Sequence, residues 1–227
     1  MIPAYNEGSI IRRLVKEIKR LHPKFPILVI NDGSTDSTSK EAADAGAEVV
    51  DLPYNLGIGG AVQTGYKIAC EDGYDIAVQI DGDAQHDPAY LMDILKPVMS
   101  GELDLCIGSR FLNTRSEFKS TFSRRVGIGF FSLLLKTLTG IHLTDPTSGF
   151  RATSKTLIKS FARYYPVDFP EPEAIQVAKR LGARIGEVPV NMRKRLGGKS
   201  SIRYFATLYY MIKVTMAILI DTLRRKD

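Results

Sequence analysis

In the stretch VQIDGDAQHDP, Val78–Pro88, an apolar segment runs directly into a cluster of acids. Asp81, Asp83 and Asp87 fall within seven residues of sequence. Like charges at this spacing repel one another, so they are stable together only when a cation, a basic partner or solvent balances them. The stretch therefore predicts a buried strand whose rigid end carries a charged site.

The segments around this stretch alternate between strand and helix. The predicted strands are Phe25–Ile30, Ala47–Leu52, Asp75–Ile80 and Leu103–Gly108, and the predicted helices are Ile10–Leu21, Asp36–Ala45, Gly60–Glu71 and Pro88–Met99. This alternation is typical of an α/β fold with a mostly parallel sheet flanked by helices. Because ligands bind at the carboxyl ends of such strands, we expect the loops at 31–36, 52–60 and 81–88 to gather at one edge.

The second half of the chain has a less regular pattern. It predicts a helix at Val126–Thr139, a strand at Ser148–Ser154, a helix at Glu173–Leu181, a strand at Arg184–Val188, a basic loop at Met192–Ser201 and a long helix at Ile202–Arg225. The last helix is apolar with basic residues at both ends, which suits an interfacial helix on anionic lipid and equally a core or dimer helix. We expect a catalytic domain over residues 1–201 and an amphipathic, membrane-associated helix over 202–227.

Bulk composition narrows the class of protein. The 227 residues carry a net charge of +6, which suits an anionic ligand or membrane surface. Cys70 and Cys106 lie far apart and are expected to be reduced thiols in a cytosolic protein. The three histidines do not cluster, so a zinc site is not predicted. No apolar run is long enough for a confident transmembrane helix.

The DGD triplet has the chemistry of a metal site. Asp81 and Asp83 flank a glycine, so a tight turn can aim both carboxylates at one hard cation. Mg²⁺ and Mn²⁺ prefer oxygen ligands and leave coordination positions open for phosphate oxygens. Gln85 can add a carbonyl oxygen. A lone DxD is more often a solvated acidic turn, but its position at a strand end on the ligand edge favours the metal site.

The other two loops have polar and glycine-rich signatures. In NDGSTD (31–36), Asp32 can accept hydrogen bonds from a base or a ribose, while Asp36 or Ser37 can cap the following helix. The segment NLGIGG (55–60) does not follow the first strand, where a dinucleotide fingerprint belongs, so NAD binding is not predicted. A glycine-rich helix start near phosphate or sugar remains reasonable.

Six motifs occur in a characteristic order along the chain. They are PAYNE (3–7), NDGSTD (31–36), NLGIGGAVQTG (55–65), DGDAQH (81–86), GSRF (108–111) and SGFR (148–151). Together they resemble a family 2 glycosyltransferase of the GT-A fold, over nearly the whole chain. The resemblance is strongest to the dolichol-phosphate mannosyltransferase-like branch, which includes bacterial enzymes that attach a sugar to undecaprenyl phosphate.

The resemblance implies roles for individual positions. Those expected to contact the nucleotide sugar are Pro3, Tyr5, Glu7, Asp32, Gly60, Asp81, Gly82, Arg110, Lys199 and Arg203. The implied ligands of Mg²⁺ or Mn²⁺ are Asp81, Asp83 and Gln85. The basic positions expected around the diphosphate or the acceptor phosphate are Arg110, Arg151, Lys199 and Arg203. Those expected to act most directly in catalysis are Asp83, Arg151 and Glu171. A divalent cation on a nucleotide-sugar diphosphate would then balance the acidic cluster.

Glu171 has two interpretations. Its place in FPEPE (169–173) matches the family's general base, while acids at a helix start also complement the helix dipole. A sugar hydroxyl is a poor nucleophile and needs a base. A phosphate monoester, with a second pKa of about 6, is already largely ionised at neutral pH and needs positioning and charge neutralisation instead. The PEPE sequence and the basic loop at 193–199 favour the phosphate acceptor.

We therefore predict a metal-dependent, inverting glycosyltransferase that moves a sugar from a UDP- or GDP-sugar to a polyprenyl phosphate for cell-envelope glycan synthesis. The alternatives are transfer to a hydroxyl on a cell-wall polysaccharide, and a non-catalytic nucleotide-sugar-binding partner of a membrane protein. The predicted location is cytoplasmic and peripheral on the inner face of the cell membrane, against a membrane surface or membrane-protein partner. A homo-oligomer is compatible with this prediction, and no nucleic-acid partner is expected.

Overall fold

The computed structural model of the chain describes residues 1–112, 129–130, 132–133, 136–137, 140–167, 170–193 and 216. The predicted C-terminal helix, apart from residue 216, lies outside these residues, as do Lys199 and Arg203. Of the predicted helix at Val126–Thr139, the described residues 129–130, 132–133 and 136–137 are helical. Within the described part of the chain, no helix is long and apolar enough to cross a bilayer.

The first half of the chain alternates between strand and helix, as predicted. Strands β1 (Ile2–Ala4), β2 (Leu28–Asn31) and β3 (Glu48–Asp51) form a parallel sheet in that order. The intervening helices are α1 (Ile11–Leu21), α2 (Thr38–Asp44) and α3 (Gly57–Glu71). Helix α1 buries Ile11, Leu14, Val15 and Ile18 against the sheet, which is the apolar face that its helical spacing predicts.

The second sheet has a different topology. Strands β4 (Ile76–Gln79), β5 (Leu105–Ser109), β6 (Arg151–Ser154) and β7 (Ile185–Pro189) lie in the order β4-β6-β5-β7. Strand β6 runs antiparallel to β4 and β5, while β5 and β7 are parallel. The Ile80 N–H donates to the Met1 carbonyl at 3.1 Å, which joins β4 to the first sheet. The prediction of a mostly parallel sheet is confirmed, but the antiparallel insertion of β6 was not predicted.

The remaining helices cover both sheets. A 3₁₀ turn at Pro88–Tyr90 leads into α4 (Leu91–Met99), and α6 (Pro170–Arg180) begins before the predicted Glu173. Helix α5 (Lys155–Arg163) was not predicted, although Leu157, Ile158 and Phe161 form its buried face. One apolar core lies between α1, α4 and the first sheet, and a second lies between α3, α5 and α6. These cores hold the strand ends, and therefore the motif loops, in fixed positions.

Candidate active site

The DGDAQH loop leaves β4 as a tight, glycine-dependent turn. A Cβ on Gly82 would lie 3.0 Å from the Pro3 carbonyl oxygen, so the loop packs directly against β1. Ala84 has a φ of +55°, in the left-handed region that non-glycine residues rarely adopt. The Gln85 N–H donates to Asp83 Oδ1 at 3.0 Å and closes the turn. Asp81 and Asp83 therefore share one rigid loop at the end of the predicted strand.

The Asp81 carboxylate has two polar side chains on its protein side. Gln79 Nε2 lies 3.5 Å from Oδ1, and His86 Nδ1 lies 3.7 Å from Oδ2. Gly149 of the SGFR motif packs so closely that a Cβ there would lie 2.6 Å from Oδ1. The Asp81 side chain is 36% exposed. The motif at 148–151 thus meets the DGD loop, and one face of the carboxylate remains accessible.

Arg151 joins the SGFR loop to the start of α6. Its side chain is buried on β6 and donates to the carbonyl oxygens of Pro146 (2.9 Å), Ser148 (2.7 Å) and Glu171 (2.8 Å). These contacts hold the guanidinium in place. Arg151 was predicted to face a phosphate, and in the structure these donors are directed at backbone carbonyls.

Glu171 lies in the first turn of α6 and is partly buried. Loss of solvation raises the pKa of its carboxyl group; the positive charge of Arg151 lowers it and the negative charge of Asp81 raises it. Glu171 is therefore within electrostatic reach of both predicted site residues. A perturbed carboxyl group beside two other charged site residues is a candidate functional group.

Arg110 belongs to a buried charged network that the sequence analysis did not foresee. Its guanidinium binds Asp145 through Nε–Oδ2 (2.5 Å) and Nη2–Oδ1 (2.6 Å). The backbone N–H groups of Thr144 and Asp145 each donate to the Glu187 carboxylate at 2.7 Å. Burial raises the pKa of Glu187 above its ordinary value. Arg110 was predicted to lie around a diphosphate; in the structure its guanidinium binds Asp145 in the interior, and the predicted role stays a prediction.

The loops at 31–36 and 55–60 pack together around Asp32. Asp32 is 3% exposed and accepts a hydrogen bond from the Leu56 N–H at 2.7 Å, while burial raises the pKa of its carboxyl group. Gly33 has a φ of +67°, and a Cβ there would lie 2.7 Å from Asn55 N. Only glycine fits this close approach without strain. The two motif loops therefore form one surface, as predicted.

The PAYNE loop is fixed to the same surface by Asp36. The Asp36 carboxylate accepts hydrogen bonds from the N–H groups of Gly8 (3.0 Å) and Thr38 (2.9 Å). Asp36 thus binds the first helical N–H of α2, while the Ser37 side chain makes no capping bond. Within the PAYNE motif, Pro3 is buried, Glu7 is partly buried and Tyr5 is 49% exposed. Gly60 lies in the first turns of α3 and is partly buried.

The acids of the DGD loop fit a divalent cation that also binds a ligand. The described residues contain no group of three or more His, Cys, Asp or Glu side chains arranged for a metal. Mg²⁺ is commonly held by only one or two carboxylates together with substrate phosphates, rather than by a cage of protein ligands. Asp81 and Asp83 supply two carboxylates on one loop, and the accessible face of Asp81 leaves room for a ligand. The donor set therefore fits Mg²⁺ or Mn²⁺ bound jointly with phosphate.

Comparison with known proteins identifies the family. Residues 1–162 match the sequence model of glycosyl transferase family 2. The chain is 33% identical over 210 residues to UDP-N-acetylglucosamine–dolichyl-phosphate N-acetylglucosaminyltransferase of Methanococcus voltae, covering 84% of this chain and 83% of that protein. It is 32% identical over 215 residues to undecaprenyl-phosphate mannosyltransferase of Micrococcus luteus, covering 89% of this chain and 86% of that protein. The chain therefore belongs to glycosyltransferase family 2 and is a glycosyltransferase.

A solved structure supports the fold assignment. The chain superposes on glucosyl-3-phosphoglycerate synthase from Mycobacterium tuberculosis with a TM-score of 0.72 and 24% sequence identity, covering 100% of this chain and 78% of that chain. That crystal structure contains Mn²⁺, uridine diphosphate and phosphoglyceric acid. The likeness confirms the GT-A fold that the sequence motifs predicted.

Proposed function

We propose that this glycosyltransferase moves a sugar from a UDP- or GDP-linked donor to a polyprenyl phosphate, with inversion at the anomeric carbon and with Mg²⁺ or Mn²⁺ as cofactor. The observation that carries the proposal is the meeting of the DGD loop, the SGFR loop and the FPEPE segment at Asp81. The carboxylate is exposed on one side, Gly149 of the SGFR loop contacts it, and the charges of Asp81 and Arg151 both act on Glu171 of the FPEPE segment. The lipid phosphates named for the two relatives support a lipid-phosphate acceptor.

The donor would bind along the edge formed by the motif loops. Asp32 lies at the junction of two loops, where its carboxylate accepts a hydrogen bond from Leu56 N–H and would accept another from a base or ribose. Tyr5 is exposed at the same edge and offers a ring face. Asp81 and Asp83, with Gln85, would hold the cation, which supplies positive charge for the diphosphate leaving group when it is bound. These assignments follow the order of the loops around the sheet edge.

The transfer step needs a nucleophile and a stabilised leaving group. An oxygen of the acceptor phosphate attacks the anomeric carbon from the face opposite the diphosphate, and the bond between that carbon and the diphosphate oxygen breaks. Because the phosphate is already largely ionised at neutral pH, no side chain has to remove a proton from it. A phosphate acceptor therefore needs positioning and charge neutralisation, whereas a hydroxyl acceptor would need a general base such as Glu171.

A transfer assay with matched acceptors tests the proposal. The protein would be incubated with Mn²⁺, a panel of radiolabelled UDP- and GDP-sugars, and either undecaprenyl phosphate or undecaprenol, and label would be counted in the organic phase. Label that requires the phosphorylated lipid and one donor would support the proposal. Label with undecaprenol alone would overturn it in favour of a hydroxyl acceptor. Donor binding without label under either condition would favour a non-catalytic binding protein.

We also propose that the protein works at the inner face of the cell membrane, where the lipid acceptor and the cytoplasmic nucleotide sugar meet. The support is the lipid-linked acceptor in the names of the relatives. Immunodetection in washed membranes, compared before and after a high-salt rinse, tests this location. Recovery of the protein only in the cytosolic fraction would contradict it.

A further inference from the structure

His86 closes the DGDAQH loop from inside the protein. Its side chain is 2% exposed, and its ring stacks on Phe150 with a centroid separation of 5.1 Å and an interplanar angle of 17°. His86 Nδ1 accepts a hydrogen bond from the Asp81 N–H at 3.2 Å. One side chain thus contacts both the DGD motif and the SGFR motif. The proposed function assigns it no role.

The hydrogen bond fixes the tautomer of the ring. A backbone N–H can only donate, so Nδ1 must be the acceptor and the ring proton lies on Nε2. The distance of 3.7 Å from Nδ1 to Asp81 Oδ2 is too long for a hydrogen bond. His86 therefore holds the backbone of Asp81 without donating to its carboxylate. The charge of that carboxylate remains available to a cation.

The other side of the loop is held by the segment that follows β7. His86 forms an isolated β-bridge with Met192, and the Arg193 N–H donates to the Gln85 carbonyl at 2.8 Å. The Arg193 guanidinium also binds Asp87 Oδ1 at 2.7 Å. Because the loop is fixed on this side and by Phe150, loss of the Nδ1 acceptor would release chiefly the end that carries Asp81.

We propose that His86 is a positioning residue for Asp81: its Nδ1 fixes the Asp81 backbone, and its ring ties that position to Phe150 of the SGFR motif. This inference rests on the proposed function, because it takes Asp81 as a ligand of the cation bound with the nucleotide. Loss of a group that orients a metal ligand typically weakens metal affinity by about 10- to 100-fold. This loss of metal affinity can be measured without any sugar transfer.

Two substitutions separate the hydrogen bond from the ring. His86→Phe keeps a ring on Phe150 and removes the acceptor, while His86→Asn places an oxygen acceptor at the δ position and removes the ring. The matched control is His22→Phe, because His22 stacks on Phe25 with a centroid separation of 5.1 Å and an interplanar angle of 10°. His22 also has a backbone partner, with its Nε2 lying 3.0 Å from the Pro88 carbonyl oxygen.

The affinity for Mn²⁺ is measured by calorimetric titration into protein saturated with UDP or GDP. Thermal unfolding checks that each variant is folded. We expect His86→Phe to weaken Mn²⁺ affinity by about 10- to 100-fold, His86→Asn to lose less because it keeps the acceptor and loses only the ring contact, and His22→Phe to stay close to wild type. Wild-type affinity in His86→Phe, or equal losses in both His86 variants, would overturn the inference. If wild-type protein binds no Mn²⁺ with either nucleotide, the proposed function itself fails.

Nitrogen NMR of the wild-type imidazole provides a test that does not depend on any variant folding. An unprotonated Nδ1 and a protonated Nε2 at His86 are expected. A proton on Nδ1 would overturn the inference, because that nitrogen could not accept from the Asp81 N–H.

Discussion

A side chain at position 149 would collide with the carboxylate of Asp81, since a Cβ built on Gly149 lies 2.6 Å from Oδ1 and 2.8 Å from Oδ2. The glycine of the SGFR motif is therefore required by the position of Asp81, the acid that follows β4. This contact links two motifs that lie on neighbouring antiparallel strands.

The first prediction concerns this contact. Gly149→Ala should displace the Asp81 carboxylate and weaken Mn²⁺ affinity, measured with bound nucleotide, by about 10- to 100-fold, as expected when the support of a metal ligand is lost. Gly129→Ala is the matched control, because a Cβ at Gly129 meets nothing within 4 Å. Equal Mn²⁺ affinities in Gly149→Ala and Gly129→Ala would contradict this prediction, because metal binding would then tolerate the displacement of Asp81.

The second prediction concerns the acid that the turn holds beside Asp81. Asp83→Ala should reduce transfer by more than about 100-fold, because loss of a metal ligand costs more than loss of its support. Its unfolding temperature should stay close to that of the wild type, since Asp83 is not in an apolar core cluster. Asp93→Ala removes an acid from α4 and should retain full activity. Substantial transfer by Asp83→Ala would contradict the metal assignment.

The third prediction concerns the interior pair. Arg110→Met should lower the free energy of unfolding by about 3–5 kcal/mol, because it leaves Asp145 charged, buried and without its ionic partner. Arg110→Met combined with Asp145→Asn should cost less than the sum of the two single changes, since the residues are in contact. Urea denaturation of the four proteins measures both quantities. Additive losses would show that the pair is not coupled.

The fourth prediction concerns pH. Burial raises the pKa of Glu171 above its ordinary 4.5, so the folded protein binds its proton more tightly than the unfolded chain does. The contribution of Glu171 to stability is therefore greatest below the ordinary pKa and is lost as the pH rises toward the raised value. Glu171→Gln should lack this loss, so its stability relative to the wild type should increase across that window. A difference that does not change with pH would contradict the raised pKa.

Glu171→Gln also separates the two acceptor classes. A phosphate acceptor needs no proton removed, so the variant should retain most of its transfer to undecaprenyl phosphate. A hydroxyl acceptor needs a general base, whose contribution is typically about 10²- to 10⁴-fold. Single-turnover rates with the two lipids compare these outcomes. Loss of that size with the phosphorylated lipid would assign Glu171 as a base.

Much of this architecture could be predicted because local patterns determine it. Alternating strand and helix signals located the loops at 31–36, 52–60 and 81–88 on one edge, and the motif order identified the GT-A fold. Strand order and direction depend on long-range pairing, so the antiparallel position of β6 between β4 and β5 left no local signal. Helix α5 did have one, in the spacing of Leu157, Ile158 and Phe161.

The interior of the site was less predictable for the same reason. The resemblance implied a place for Arg110 around a phosphate, which stays a prediction; its ion pair with Asp145 was not foreseen, because Asp145 lies 35 residues away in sequence. The Glu187 carboxylate on strand β7 accepts a hydrogen bond from the Thr144 N–H, which lies 43 residues away in sequence. The sequence indicated this contact only through Glu187 itself, a single acid in the otherwise apolar strand β7. The domain boundary near residue 201 and the roles of Lys199 and Arg203 stay predictions.

The most direct test of the central claim is the acceptor dependence of sugar transfer. With Mn²⁺ and the labelled donor that the protein binds, label should enter the organic phase with undecaprenyl phosphate, and it should not do so with undecaprenol or with Asp83→Ala protein. Transfer to undecaprenol at an equal or higher rate would contradict the account, because the acceptor phosphate would then have no part in the reaction.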